Sequence, residues 1–140
     1  MSMALQTSAE SGHLRVKAAG KFSLAEAKRT FLEILEALER HKADKVLFDG
    51  RGLKGNPEFM ERFYYGAFAA RGAYEYATRN RRASPQFAYV LQAPILDPNR
   101  FGEDVAVNRG MLVKAFDNLD DAYRWLGIAS ANPPGPDHGD

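Results

Sequence analysis

The sequence has no cysteine, one tryptophan and three histidines among 140 residues. Without cysteine it can form no disulfide, no thiolate nucleophile, no thiolate-ligated zinc and no iron–sulfur cluster. Charge of one sign is also missing. The 19 Lys plus Arg and 18 Asp plus Glu leave a formal +1, which gives no global electrostatic argument for nucleic acid or an anionic membrane. No apolar stretch approaches the roughly 18 residues of a membrane span, so membrane insertion is not expected. The amino-terminal residues lack the basic, apolar and cleavage regions of a signal peptide, and a cytoplasmic protein is expected. What is present is ordinary: 45% hydrophobic and 26% charged residues. A chain of this size buries roughly two thirds of its unfolded surface, enough for one core without metals or staples. We expect a single domain over residues 1–127 and a disordered tail over 128–140, where Pro, Gly and polar residues dominate.

Hydrophobic periodicity orders the elements. Leu14, Val16 and Ala18 alternate with Arg15 and Lys17, the period of a half-buried strand. Ser11 and Gly12 offer turn chemistry for a preceding strand from Ala4, so an amino-terminal hairpin is expected. Ser23 and Glu26 have capping-box spacing. From there Leu24, Ala27, Phe31, Ile34, Leu35 and Leu38 form the apolar stripe of a first helix. Val46, Leu47 and Phe48 mark a central strand, followed by a glycine-rich loop and a second helix that starts at Asn56–Pro57 and ends near Tyr76. A third strand over Phe87–Leu91, a short helix over Phe101–Arg109, a fourth parallel strand over Val113–Phe116 and an Asn118-capped helix over Leu119–Leu126 complete the order. The expected fold class is α/β: about four strand–helix units in a right-handed superhelix on a mostly parallel sheet.

Two stretches could carry function. FDGRGLKGNP sets three glycines before a helix start, and Asp49, Arg51, Gly52, Gly55 and Asn56 form a candidate ligand or anion loop. It matches neither GxxxxGK[ST] nor GxGxxG, and glycines that turn the chain out of a buried strand are the alternative. Asp49 reads as a cap or a partner for Arg51 rather than as a base. On the second helix, Phe59, Met60, Phe63, Tyr64, Ala67, Ala70 and Tyr74 share one face and Tyr65, Phe68, Gly72 and Tyr76 another. One sheet covers only the first, so Tyr65, Phe68, Gly72 and Tyr76 are the candidate interface, with a homodimer or another protein as partner, while Phe63 and Tyr64 line a candidate apolar pocket.

Other chemistry is thinly supported. Arg79, Arg81 and Arg82 follow Tyr74 and Tyr76, a local pattern suited to nucleic acid, yet the near-neutral chain argues for a solvated helix end. His13 in a turn, His41 at a helix end and His138 in the tail are not spaced to share a metal. No GxSxG is present, and the hydroxyls near strand ends do not fall beside a histidine in any expected element. No catalytic residue, metal or cofactor is therefore assigned, and a non-enzyme is expected.

The segments LRVKAAGKFSLAEAKRTF, VLFDGRGLKG and NRGMLVKAFDNLDDAYRWLG resemble the SpoIIAA-like relatives of the STAS domains, a group that includes anti-sigma-factor antagonists and the cytoplasmic domains of sulfate transporters. The resemblance spans Leu14 to Gly127. It implies a strand–helix superhelix and a non-catalytic, regulatory protein-interaction module. Antagonists of this group are switched at a Ser or Thr at the start of the helix after a central strand. Here that place reads Lys54, Gly55, Asn56, Pro57, Glu58, with no hydroxyl, so no phosphoacceptor is carried over. The resemblance also implies an alternative, a small apolar or lipid-like ligand held between helices and sheet.

Overall fold

The computed structural model describes residues 3–128. Strands β1 (Ala4–Glu10) and β2 (His13–Lys21) form the expected hairpin, with Thr7 opposite Val16. Helix α1 (Leu24–His41) leads to β3 (Lys45–Lys54), α2 (Phe59–Asn80) to β4 (Gln86–Val90), and α3 (Phe101–Asn108) to β5 (Leu112–Phe116), followed by α4 (Leu119–Leu126). The sheet order is β1-β2-β3-β4-β5, parallel from β2 onward. The expected tail lies outside the described residues except Ile128, which packs beside the α4 cluster.

The helix ends follow local chemistry. Ser23 Oγ accepts from Glu26 N at 3.2 Å, satisfying one orphan donor of α1. The Glu26 carboxylate bonds Arg29 instead of returning to Ser23, so only half of the capping box forms. Asn118 Oδ1 accepts from Asp121 N at 2.9 Å to start α4, and Gly127 ends that helix at φ 71°.

Pleating divides the core in two. Leu14, Val16, Val46, Phe48, Phe87 and Tyr89 point to the face covered by α1 and α2. Phe31 of α1, fully buried, meets the rings of Phe87, Phe68 and Tyr65 there. Leu47, Ala88 and Val90 point the other way, under Ala122, Tyr123 and Leu126 of α4. Burial of one such large side chain contributes about 1.5–3 kcal/mol.

Two expectations are corrected here. The glycine-rich segment after Phe48 is strand: β3 continues to Lys54 and pairs with β2 as far as Lys21, past a register shift between Lys17 and Ala19. Its glycines serve close packing. A Cβ on Gly50 would stand 2.7 Å from Leu91 Cδ2, and one on Gly52 2.9 Å from Ala19 Cβ. Only Gly55, at φ 118°, uses glycine's backbone freedom in this stretch.

The faces of α2 are also largely exchanged: of the row expected against the sheet, only Ala70 is buried. Tyr76 is buried, and Tyr65, Phe68 and Gly72 pack on Phe31 of α1, so this row is internal rather than a free interface. Phe59, Met60, Tyr64 and Tyr74 face outward. The reason is steric: α1 and α3 flank α2 closely, and Gly66, Ala69, Ala70 and Ala73 admit that approach where large rings would not.

Candidate functional site

Three regions bring the singled-out residues together. The first is the outer ridge of α2 and α3. Phe59 and Phe101 stack at 4.1 Å between centroids, Phe63 lies 6.4 Å from Phe101, and the Arg109 guanidinium sits 5.4 Å above Phe63. Tyr64 meets Phe63 edge-on at 5.6 Å. Phe63 and Tyr64 thus belong to this surface. Neither lines an internal pocket.

The second region is beneath α2, where a cavity of about 150 Å³ opens between that helix, the sheet and the segment joining β4 to α3. Phe48, Tyr65, Ala69, Tyr89, Leu91 and Ile95 are among its walls. The two phenol oxygens, Tyr65 Oη and Tyr89 Oη, are 2.6 Å apart. Burial pushes the Tyr65 hydroxyl up to about 12 and the Tyr89 hydroxyl well above its ordinary range, so both keep their protons at neutral pH. Arg62 closes one side: its Nη1 donates to Ile95 O at 2.9 Å and its Nη2 to Pro94 O at 2.8 Å. Asp97 braces the same segment by accepting from Phe101 N at 2.9 Å and Asn99 N at 3.1 Å. Those amide donors hold its carboxyl below the usual range.

The third region is the opposite sheet face. Asp49, 2% exposed, accepts from Arg51 Nε at 2.9 Å, Arg51 Nη2 at 2.8 Å and Arg51 N at 3.2 Å. Burial works against its charge, but these donors outweigh it and hold the carboxyl below its ordinary value. The expected pairing with Arg51 is therefore present, and the carboxylate is committed to it. Nearby, Arg15 Nη1 donates to Tyr123 Oη at 2.6 Å. His13 is not in the turn: it opens β2, is buried, and meets Tyr123 edge-on at 6.5 Å.

The candidate anion loop is not assembled. Asp49 and Arg51 pair with each other, Gly52 lies in the ladder, and Gly55 and Asn56 sit at the bend before α2. The start of α2 is taken by its own acids, Glu58 N donating to Glu61 Oε1 at 2.8 Å, and two carboxylates there disfavour a bound anion. Among the described residues no three His, Asp or Glu side chains converge on a metal position, and no helix is long and apolar enough to cross a membrane.

Sequence reasoning missed Tyr89 and Arg62 altogether. Tyr89 stands in an otherwise apolar strand, QFAYV, where a hydroxyl needs a buried partner, and that was a usable signal. Arg62 offered none, because the carbonyls it binds are 32 and 33 residues away.

No protein-family model matches the sequence, and no curated protein matches it. Solved structures do. An anti-sigma factor antagonist from Mycobacterium paratuberculosis superposes with a TM-score of 0.53 and 14% identity, over 90% of this chain and 95% of that one. SpoIIAA, an anti-sigma factor antagonist in its unphosphorylated form, superposes with a TM-score of 0.55 and 9% identity, over 91% of this chain and 100% of that one. An uncharacterized protein with a SpoIIAA-like fold from Shewanella loihica gives a TM-score of 0.47 and 18% identity, over 89% and 94% of the two chains. The first two establish that this chain has a SpoIIAA-like, that is STAS-like, fold.

Proposed function

We propose that this chain is a non-catalytic, regulatory binding module of the cytoplasm that works through protein contact, with the ridge of α2 and α3 as its contact surface and a second copy of the chain as the occupant. One observation carries the reading. Phe59, Met60 and Tyr64 stand within two turns of one helix at 62%, 47% and 48% exposure. Large side chains clustered in water mark contact surfaces, and aromatic and Met residues are enriched in interface cores. The ridge carries both signs, Asp104 on α3, Arg109 just past its end and the Arg71–Glu75 pair on α2, so a two-fold copy can set each charge against its opposite. The fold it shares with two anti-sigma factor antagonists, proteins named for acting on another regulator, supports the same class of role.

Sedimentation velocity over a wide concentration range tests this. Wild-type protein should move from monomer toward dimer as concentration rises, and Tyr64→Glu with Phe59→Glu should stay monomeric while keeping its helical circular dichroism. Wild-type protein that sediments as a monomer throughout overturns the proposal.

A further inference from the structure

We propose that the cavity beneath α2 binds a small neutral molecule, of single-ring or short-chain size, whose one hydrogen-bond acceptor meets the Tyr65–Tyr89 hydroxyl pair. This site is separate from the outer ridge and does not depend on it.

Size sets the first limit. A cavity of about 150 Å³ is close to the volume that, lined by apolar side chains in another protein, takes up benzene. Phe48, Leu91, Ile95 and Ala69 supply comparable walls, so most of the occupant must be hydrocarbon.

Proton counting sets the second. Two phenols bring two hydroxyl protons, and the single contact between Tyr65 Oη and Tyr89 Oη consumes one. Neither hydroxyl makes another hydrogen bond among the described residues, so one O–H remains to donate. A buried donor without an acceptor is costly, and a ketone, ether or ester oxygen relieves that cost. A carboxylate does not suit the site: it would be desolvated among apolar walls, and the two arginines of the lining are already engaged, Arg62 with the Ile95 and Pro94 carbonyls and Arg100 with Glu103 and the Ala115 carbonyl. The two Arg62 bonds also hold the segment that forms one wall of the site.

The probes are acetophenone, one ring with one acceptor, and ethylbenzene, of similar shape with none. Thermal shift and two-dimensional amide NMR titrations would follow each on the full chain. Saturable binding of acetophenone is expected, with shifts concentrated at residues 65–69 and 89–96. Tyr65→Phe combined with Tyr89→Phe should weaken acetophenone by about two- to tenfold, the range of one net hydrogen bond, and leave ethylbenzene unchanged. Ala69→Leu, which fills the cavity, should abolish both. If folded wild-type protein saturates with neither probe, or if the double Tyr variant and Ala69→Leu, each verified as folded, bind both as wild type does, the proposal is overturned. Sedimentation of the same samples reads the ridge separately, so failure at one site is not mistaken for failure at the other.

Discussion

Gly66 of α2 faces the backbone carbonyl of Gly102 in α3 so closely that a Cβ on Gly66 would stand 2.6 Å from that oxygen. The two glycines set the distance between the helices. Ala is normally favoured over Gly inside a helix by about 1 kcal/mol. Here the added atom meets backbone, which cannot rotate aside as a side chain can. Gly66→Ala should therefore be net destabilising, by about 1–3 kcal/mol. At Gly72 the nearest atom is a ring carbon of Phe31 at 3.0 Å, and Gly72→Ala should cost less. Urea unfolding of both variants checks the order.

Arg51→Met should destabilise the fold by about 1–3 kcal/mol, because it strips the main donors from the buried Asp49 carboxylate. Asp49 titrates below its ordinary value of 3.8, so its contribution is present above that pH and disappears as pH falls through the folded-state value. The variant should show a weaker stability loss over this acidic range than wild type. Denaturant midpoints measured between pH 2 and pH 5, a window on the order of that set by carboxylate titration, decide it.

His13 gives a second and separate pH response. Burial pushes its imidazole below the ordinary value of 6.5, with Arg15 and Lys45 pushing in the same direction and Ser11 and Glu10 opposing. The unfolded chain thus takes up the proton first. Stability is fully present above 6.5 and falls as pH drops through the folded-state value. His13→Leu should flatten the stability profile just below 6.5 without altering the Asp49 response.

Tyrosine ionisation reports on the cavity directly. Of the six tyrosines, Tyr64 and Tyr74 are exposed, whereas burial raises Tyr65 to about 12 and Tyr89 well above its ordinary value. Both then ionise more readily in the unfolded chain, so stability is lost as pH rises above 10. The ultraviolet phenolate signal should rise in two stages, the later one coinciding with unfolding. A single early stage that includes Tyr65 and Tyr89 would contradict their burial.

Much of the fold was legible because local rules and tertiary structure agree in it. Ser23 and Asn118 cap where their side chains suggest, and the alternation at Leu14–Ala18 places a strand. The faces of α2 were not legible. Periodicity assigns residues to a face, but it does not say which face goes inward. The bulky row, Phe59, Met60 and Tyr64, suggested burial by hydrophobicity, yet helix spacing favoured the small row around Gly66 and Ala69. Likewise, Gly50 and Gly52 read as turn residues because a strand crowded by Leu91 and Ala19 needs the same amino acid as a loop does.

A sheet whose spatial order repeats its order along the chain needs no strand inserted between two that are already joined. Each new segment adds to the margin left by the one before it. Synthesis on the ribosome can therefore build the layer from the first hairpin outward, and the final increment, β5 with α4, seals the remaining side once the rest has emerged.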